Sequence, residues 1–410
     1  MLHLFLTHGV RLPRVIHIMT VPSSLFFLRG QARFMRGRGI ELQAIASPGA
    51  DLDRFAEEEG MPVCAVPMRR RITPLQDLVA LARLVAALRR RKPDIVHAHT
   101  PKGGLLGMLA ALIARVPVRI YHINGLPFVT ATGAKRRLLR LTERISCALA
   151  HEVLCVSESV RGIAVSDGVC RSDRIRVLLG GSINGVDAQE RFNPARHAGA
   201  RQATRARLGI PEDAVVVSFV GRLVREKGIA ELACAFQTLR DEFPRLHLLL
   251  VGPFESQDPV DPATRRQLAA DPRVHQVGLD WNTPPYYAAS DLLALPTWRE
   301  GFPVVPLEAA AMGLPVAATR VPGSIDAVED DVTGVLVPPR DPEALAGAIR
   351  GYLTDPVRAR RHGEAARVRV LRDFQQENMW AALEAVYRAL LAERGVTHAD
   401  SVTGHSACSR

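Results

Sequence analysis

Short apolar runs alternate with amphipathic stretches of helical period along almost the whole chain. A strand covered by helices on both faces is a continuous apolar run, and a helix packed on a sheet is apolar along one side. Residues 95–99 and 215–221 are such runs, and helical stretches at 103–114 and 229–242 follow them. This alternation predicts an α/β fold in which helices cover parallel sheets.

The length of 410 residues exceeds what one ordinary core requires and indicates two domains. A polar, charged stretch at residues 184–209, which contains Pro194 and Gly199, separates two halves of similar architecture. We therefore expect a parallel-sheet domain at residues 1–185, a linker or hinge at 186–212, a second parallel-sheet domain at 213–365, helices at 366–395 that return to the first domain, and a loose tail at 396–410.

Charge is distributed unevenly between the two halves. Residues 1–190 contain 27 Lys and Arg against 15 Asp and Glu, so they carry the whole excess behind the net charge of +11. Such an excess is typical of a domain that faces a polyanion, whether nucleic acid, an anionic membrane or a phosphorylated substrate. A genome composition that favours arginine would produce the same excess without any function.

The sequence also indicates the cellular compartment. Six cysteines without a CxxC pair or regular spacing indicate free thiols in a reducing cytosol rather than a zinc site. Arg11, Pro13 and Arg14 interrupt the apolar residues at the N-terminus, which argues against a signal peptide. The longest apolar run, at residues 103–114, is shorter than the roughly 20 residues that cross a bilayer. We expect a cytoplasmic protein that does not span a membrane.

Two cations follow the strand predicted at residues 215–221. Gly221 ends this strand, and Arg222 and Lys227 lie in the loop that opens the next helix. Arginine offers a bidentate fork and lysine a point charge, and the helix N-terminus adds oriented N–H groups. Together they suit a diphosphate, although surface loops often carry Arg and Lys and the signal is weak by itself.

Two glutamates flank the start of a helix predicted at residues 304–312. Glu300 precedes Gly301, and Glu308 lies about two turns into the helix. Carboxylates accept hydrogen bonds from paired hydroxyls, so one can hold a hexose and the other a ribose. Gly301 would let the backbone approach a ligand closely. The apolar residues between the two glutamates argue against the alternative that both are ordinary exposed side chains.

In order and spacing, these motifs resemble the retaining glycosyltransferases of family four, which have the GT-B fold. Glu300 and Glu308 match the family's E-x7-E motif, and residues 184–187 match its NGVD turn. The GR-x4-KG motif is matched by Gly221, Arg222, Lys227 and Gly228. The resemblance covers all but roughly the first 13 and last 15 residues, and the combination of motifs is specific. It implies two Rossmann-like domains that face a central cleft.

The resemblance also implies residue roles. Arg222 and Lys227 would neutralise charge on the leaving diphosphate, Glu308 would hold the ribose, and Glu300 the donor sugar. The implied catalytic residues are Glu300, Arg222, Lys227 and Asn124. The implied donor-binding residues are Gly221, Arg222, Lys227, Val277, Gly278, Glu300, Gly301, Phe302, Pro303, Val304 and Glu308. Families of this fold usually need no metal because cationic side chains replace it, so we expect no metal and no other cofactor.

The first half contributes a strand end and helix start at residues 97–104, with the sequence HAHTPKGG. His97 and His99 share one strand face and could bind a metal, but without a third ligand nearby in the sequence we expect structural histidines. Lys102 and Gly103 could hold an acceptor phosphate at the helix N-terminus. With residues 121–128, the segment resembles the family branch acting in capsule, exopolysaccharide and O-antigen assembly. The expected acceptor-side residues are Ser23, Ser24, His99, Lys102, Gly103, His122 and Asn124.

The chain departs from the family pattern at two loops. Many members place a histidine directly before the loop glycine, where this chain has Asn124, with His122 two positions earlier. Asparagine donates and accepts hydrogen bonds but does not titrate near neutrality. Either Asn124 fills the role or His122 approaches from the strand end, and we favour Asn124. Residues 19–24, with Ser23 and Ser24, replace the family's glycine-rich phosphate loop.

A basic amphipathic helix is predicted at residues 135–150. Its cations are Lys135, Arg136, Arg137, Arg140 and Arg144, beside apolar Leu138, Leu139, Leu141 and Ile145. Such a helix can lie on an anionic membrane, although an arginine-rich solvated face is the alternative. A lipid-diphosphate acceptor would account for the basic excess.

The sequence thus predicts transfer of a hexosyl residue from a nucleoside-diphosphate sugar, UDP-linked, to a polyprenyl-diphosphate-linked glycan. The resemblance implies retention of configuration, in cell-surface polysaccharide synthesis at the inner face of the cytoplasmic membrane. One alternative is a nucleotide-sugar 2-epimerase on the same fold, which uses no acceptor. The other is a non-enzymatic basic binding protein. A nucleic-acid partner is not expected, because the acidic pair would repel phosphate backbones.

Overall fold

The computed structural model describes residues 11–396. The predicted tail at 396–410 lies outside the described residues except for Val396, and so does Cys408. The first ten residues of the predicted first domain also lie outside them. Within the described part, two parallel sheets form, as the alternation of apolar runs predicts.

Each sheet is built from strands that pair only in parallel. The first sheet has the order β3-β2-β1-β4-β5-β6-β7 and the second β10-β9-β8-β11-β12-β13. The strands are β1 (Arg14–Ile18), β2 (Glu41–Ala46), β3 (Val63–Ala65), β4 (Ile95–His99), β5 (Val118–Ile123), β6 (Glu152–Cys155), β7 (Ile175–Val177), β8 (Val215–Val220), β9 (Leu246–Val251), β10 (Val274–Gly278), β11 (Leu292–Leu295), β12 (Val316–Thr319) and β13 (Gly334–Val337).

Helices cover both faces of each sheet. They are α1 (Gln31–Gly37), α2 (Ala50–Glu59), α3 (Pro74–Arg91), α4 (Pro101–Ile113), α5 (Gly133–Leu149), α6 (Glu158–Ser166), α7 (Ala200–Leu208), α8 (Ile229–Arg240), α9 (Pro262–Ala270), α10 (Pro284–Ala289), α11 (Val304–Ala311), α12 (Ser324–Ala327), α13 (Pro342–Thr354), α14 (Pro356–Asp373) and α15 (Gln376–Glu393). Because both faces are covered, every residue of β9 is buried, which explains its continuous apolar sequence.

The strand orders place a switch point in each sheet, between β1 and β4 in the first and between β8 and β11 in the second. At such a point successive connections leave in opposite directions, so a crevice opens at the carboxyl ends of the strands. Residues just after β1, β5, β8 and β11 line the space between the two domains. The two crevices therefore face one another across a single cleft, which is the GT-B architecture.

The connection between the domains contains more structure than its sequence indicated. Within the predicted linker at 186–212, residues 200–208 form α7, which packs on α10 of the second domain. Arg205 is 1% exposed and donates to the carbonyl oxygens of Ala214 and Ala289, at 2.8 and 3.0 Å. This buried side chain makes α7 part of the second domain.

The last helix, α15, crosses to the first domain and packs on α1. Trp380 Nε1 donates to Asn184 Oδ1 at 2.6 Å, in the segment that leaves the first domain. A Cβ on Gly30, where φ is +84°, would lie 2.6 Å from the Trp380 ring. Gly30 thus separates the 3-10 helix Pro22–Leu28 from α1.

Among the helices at residues 11–396, none combines the length and the apolar character needed to cross a bilayer.

Candidate functional site

A cavity of about 1040 Å³ lies between the carboxyl ends of the two sheets and is lined by both domains. The predicted residues that line it are Ser23, Ser24, Asn124, Gly221, Arg222, Lys227, Glu300, Gly301, Phe302, Pro303, Val304 and Glu308. The cations, the glutamates and Asn124 are thus brought together from positions up to 184 residues apart in the chain. This volume is in the range of a nucleotide-sized ligand site.

The cations of the cavity are paired with carboxylates. Lys227, in the 3-10 helix Arg225–Lys227 that precedes α8, forms an ion pair with Glu300. Arg222 Nη1 lies 3.1 Å from Glu255 Oε2, and Arg222 Nη2 lies 3.4 Å from Glu226 Oε1. Each cation is therefore held by a carboxylate close to the start of α8, where an anionic ligand could take the place of that carboxylate.

Glu308 lies on α11 and faces the cavity from the second domain. Tyr287 Oη donates to Glu308 Oε2 at 2.7 Å, which fixes the position of the carboxyl group. Burial raises the pKa of Glu308 above its ordinary value, and the bond from Tyr287 acts in the opposite direction. The second carboxyl oxygen remains as an acceptor for a ligand hydroxyl.

Gly301 of the second domain lies against a loop of the first. A Cβ on Gly301 would lie 1.8 Å from the carbonyl oxygen of Asn124, so only hydrogen fits there. Ser157 Oγ donates to the Gly301 carbonyl oxygen at 2.8 Å, again from the first domain. The sequence suggested that this glycine would give a ligand access to the backbone, but its free side is occupied by the Asn124–Gly125 loop. The loop stands directly beside Glu300.

Of the two candidates at the family's histidine position, Asn124 lines the cavity and His122 does not. His122 is 5% exposed, and its Nδ1 lies 3.3 Å from His97 Nε2 behind the loop. Burial lowers the pKa of His122 to about 3, so its ring is neutral. Asn124 is therefore the side chain that this loop offers to a ligand.

Six predicted residues lie outside the lining of the cavity: Val277, Gly278, His99, Lys102, Gly103 and His122. Val277 and Gly278 end β10, and the three residues that follow them line the cavity instead. Lys102 Nζ pairs with Asp77 Oδ1 at 2.8 Å. A Cβ on Gly103 would lie 3.2 Å from the backbone nitrogen of Thr20, because α4 packs against the segment that follows β1. The acceptor-phosphate role of Lys102 and Gly103 stays a prediction.

The cavity also contains residues that the motifs did not indicate. Arg70 of the first domain reaches Glu255 Oε2 at 3.4 Å, so one carboxylate bridges Arg70 and Arg222 across the cleft. Phe26 stacks on Trp281 with ring centroids 4.4 Å apart, also between domains. Arg191 Nη2 donates to the Trp281 carbonyl oxygen at 2.5 Å. These contacts join residues 90 to 255 positions apart, so no local motif indicates them.

Three buried histidines each bring one nitrogen within 4.8 Å of the others: His17, His97 and His99. His17 was not identified from the sequence as a third potential metal ligand because it lies 80 residues before His97. A metal requires lone pairs in the ring planes to converge on one point. The rings of His97 and His99 are instead stacked, 26° apart with centroids 4.2 Å apart, and those of His17 and His99 are 20° apart. The expectation that no metal is used stays a prediction.

The basic helix forms as predicted, as α5. Lys135, Arg136, Arg137 and Arg144 are exposed, and Arg140 is half-buried. Leu138 and Leu141 on the same helix are 43% and 53% exposed, so two apolar side chains accompany these cations at the surface. The surface formed by these seven residues is here called the α5 surface.

Comparison with known proteins identifies matching family models and relatives of similar sequence. The family model described as "Glycosyl transferases group 1" matches residues 200–369, and that described as "Glycosyl transferase 4-like domain" matches residues 26–181. The capsular polysaccharide biosynthesis glycosyltransferase CapM of Staphylococcus aureus is 31% identical over 380 residues, which cover 93% of this chain and 98% of CapM. The UDP-Gal:alpha-D-GlcNAc-diphosphoundecaprenol alpha-1,3-galactosyltransferase of Escherichia coli is 27% identical over 324 residues, which cover 78% of this chain and 81% of that enzyme.

Solved structures share the fold. Sucrose-phosphate synthase from Thermosynechococcus elongatus superimposes with a TM-score of 0.76 at 23% identity, over 93% of this chain and all (100%) of that one. Anabaena HepE in complex with UDP and glucose has a TM-score of 0.76 at 22% identity, over 92% of this chain and 100% of HepE. At these identities the likeness concerns the two-domain architecture.

Replacement of Gly301 by alanine tests the contact between the domains. The added methyl group cannot coexist with the Asn124 carbonyl oxygen at 1.8 Å, so we expect the cleft to open and the protein to lose about 1–3 kcal/mol of stability. Thermal unfolding and the radius of gyration from small-angle scattering measure both effects. The control is Gly347→Ala in α13, where a Cβ meets nothing within 4 Å. A Gly301→Ala protein with wild-type stability and dimensions would contradict the close contact.

Proposed function

The chain belongs to the group 1 glycosyl transferases with a glycosyl transferase 4-like N-terminal domain, and on this premise we propose that it transfers a hexosyl residue from a nucleoside-diphosphate sugar to a lipid-linked glycan. The observation that carries the proposal is the convergence of Arg222, Lys227, Glu300 and Glu308 on one cavity. Two cations and two carboxylates are the complement of a ligand with a diphosphate at its centre and hydroxylated rings at both ends.

Arg222 and Lys227 hold the diphosphate of the donor. Both stand at the loop before α8, whose N-terminus adds backbone N–H groups. In the absence of donor, Glu255, Glu226 and Glu300 neutralise these cations, and the phosphate oxygens replace the carboxylates when the donor binds. The cations then stabilise the charge that accumulates on the leaving nucleoside diphosphate.

The reaction exchanges one bond at the anomeric carbon of the donor sugar. The bond from this carbon to the β-phosphate oxygen breaks, and a bond to an acceptor hydroxyl oxygen forms with retention of configuration. The proton of the hydroxyl group passes to the departing phosphate, so no protein base is needed. The acceptor oxygen itself attacks the anomeric carbon, without a protein nucleophile. Glu300 and Asn124 hold the sugar at the contact between the domains, and closure of the cleft aligns the acceptor.

Glu308 holds the ribose of the nucleotide, with its second carboxyl oxygen facing the cavity. The base lies at the end of β10, beside Val277, Gly278 and the three residues that follow. We assign uridine to this position because the E. coli relative is named for UDP-Gal and the HepE structure contains UDP.

The acceptor is a glycan on a polyprenyl diphosphate, used in the synthesis of a cell-surface polysaccharide. The relatives support this class: CapM is named for capsular polysaccharide biosynthesis and the E. coli enzyme for a diphosphoundecaprenol acceptor. Ser23 and Ser24 line the cavity on the first domain, and Arg70 reaches it from the same side. They offer donors to an acceptor phosphate near the donor sugar.

The α5 surface brings the first domain to the inner face of the cytoplasmic membrane. Its cations attract anionic headgroups, and Leu138 and Leu141 enter the interface between headgroups and acyl chains. A lipid-linked acceptor would then enter the cleft from the membrane.

A thermal-shift screen with UDP-, GDP-, ADP- and dTDP-sugars tests donor binding. We expect a UDP-hexose to stabilise the wild type by about 2.7 kcal/mol at 100 times its Kd. Loss of a charged hydrogen bond makes Arg222→Ala and Lys227→Ala bind at least roughly tenfold more weakly. The matched control is Arg225→Ala, in the same loop but 65% exposed and paired with Asp258. Absence of stabilisation by every nucleotide sugar would refute the proposal.

Vesicle sedimentation tests the α5 surface. We expect binding to vesicles that contain phosphatidylglycerol and little binding to phosphatidylcholine alone, with a decrease at high salt. The double variant Leu138→Glu, Leu141→Glu should bind at least roughly tenfold more weakly because it loses apolar burial. Val357→Glu, at a residue 77% exposed on α14 of the second domain, is the control. Equal binding of both variants to anionic vesicles would exclude α5 as the contact.

A further inference from the structure

Four histidines lie together on one face of the first sheet, directly behind the loop that carries Asn124. His97 and His99 alternate along β4 and therefore share this face. In the strand register His17 of β1 lies beside His97, and His122 of β5 lies beside His99. Each side chain is at most 5% exposed. Neighbouring strand ends at the switch point of the sheet thus hold four imidazoles out of water.

The rings form two pairs. His17 Nδ1 lies 3.0 Å from His99 Nε2, and His97 Nε2 lies 3.3 Å from His122 Nδ1. Tyr387 Oη of α15 lies 2.7 Å from His97 Nδ1, so the second pair ends at the last helix. The first pair ends at Asn124, whose side chain contacts His99 and raises the pKa of that ring against the larger lowering by burial. The two pairs therefore have different neighbours and can be tested separately.

Burial keeps all four rings neutral. It lowers the pKa of His17 and His122 to about 3, and that of His97 and His99 well below the ordinary value. A neutral imidazole has one N–H donor and one acceptor nitrogen. In each pair, one ring therefore donates its proton at the nitrogen–nitrogen contact, and the other ring accepts there and carries its own proton on its outer nitrogen. The surroundings of the pair determine which ring donates.

Three buried atoms of this group indicate which ring nitrogens carry the protons. His17 Nε2, His99 Nδ1 and Asn124 Oδ1 have no hydrogen-bond partner of good geometry within residues 11–396. If His99 carried its proton on Nε2, His17 would carry an unpaired proton on Nε2, and His99 Nδ1 would oppose Asn124 Oδ1 as a second acceptor. If His17 donates from Nδ1 to His99 Nε2, then His99 Nδ1–H faces Asn124 Oδ1 as donor and acceptor. Only the lone pair of His17 Nε2 then lacks a partner, which is the cheaper arrangement.

The backbone beside His99 is strained, as expected of a position fixed by its surroundings. Thr100 has φ +64° and ψ +153°, a conformation that β-branched residues almost never adopt. Its Oγ1 lies 3.0 Å from Thr20 Oγ1 at the end of β1, so the two strand ends are tied together. Such strain persists where neighbouring contacts determine the geometry, and it concentrates at functional sites.

We propose that His99 is a positioning residue: its Nδ1–H holds Asn124 Oδ1, so that the amide turns its NH2 group toward the donor sugar. The proposal rests on the function proposed above, since the sugar is what the NH2 group meets. His17 fixes the tautomer of His99 by donating to Nε2. The cleft thus presents a hydrogen-bond donor, without a titrating group, at the position where many family members present a histidine.

Affinities for UDP-hexose and for UDP alone, measured by calorimetry, separate positioning from a structural role. In His99→Leu, Asn124 Oδ1 loses its donor and the amide is free to rotate. We expect roughly tenfold weaker binding of UDP-hexose and unchanged binding of UDP, which has no sugar for the amide to contact. His99→Gln, whose amide can donate to Asn124 and accept from His17, should restore most of the affinity.

Three variants complete the design. Asn124→Ala should reproduce the effect of His99→Leu, and the double variant should lose no more than either single one, because both act through one amide. The matched control His97→Leu removes an equally buried histidine from the other pair. It should lower the melting temperature and leave the ratio of the two affinities unchanged.

The results that would contradict the positioning role differ from those that would contradict the proposed function. A His99→Leu protein with the wild-type ratio, or one that loses both affinities equally as a structural variant would, overturns the positioning role and leaves the proposed function intact. A wild type that binds no nucleoside-diphosphate sugar overturns both. Long-range proton–nitrogen NMR spectra of the wild type decide the matter independently of how the variants fold: a proton on Nδ1 of His99 supports the proposal, and one on Nε2 contradicts it.

Discussion

The structure depends on one contact, between the Asn124–Gly125 loop of the first domain and Gly301 of the second. The carbonyl oxygen of Asn124 occupies the place where any side chain on residue 301 would begin. A hydrogen bond from Ser157 to the Gly301 carbonyl oxygen secures the same approach. Because Glu300 precedes this glycine, the contact brings a carboxylate of one sheet beside an amide of the other. At this contact the two domains therefore meet through backbone atoms.

Ion pairs hold the cationic side chains of the cleft in place before a ligand binds. Arg222 and Lys227 are held by Glu255, Glu226 and Glu300 at the start of α8. Cations kept in place by carboxylates need little rearrangement when an anion takes over the pairing, and this preorganisation is how electrostatic stabilisation acts in a site shielded from water. Arg70 shares Glu255 from the opposite domain, so a ligand that displaces this carboxylate would also affect how the domains meet.

The sequence was informative wherever the signal is local. Continuous apolar runs such as β8 and β9 follow from burial on both faces, and the spacing of Arg222 with Lys227 and of Glu300 with Glu308 placed all four in the cleft. Helix α7 was missed because it is rich in arginine, whose stem packs while its charged head finds carbonyl or carboxylate partners, as in Arg205. His17, the break at Gly30 and the stacking of Phe26 on Trp281 depend on residues at least 80 positions away, which no local pattern reveals.

The central claim is that this cleft transfers a sugar from a nucleoside diphosphate with retention of configuration. The most direct measurement incubates the protein with a UDP-hexose and a synthetic polyprenyl-diphosphate-linked glycan and reads the anomeric configuration of the new linkage by proton NMR. We predict an acceptor-dependent glycoside with the configuration of the donor. A product of inverted configuration would contradict the mechanism. An epimerised nucleotide sugar formed without acceptor, and no glycoside, would contradict the function itself.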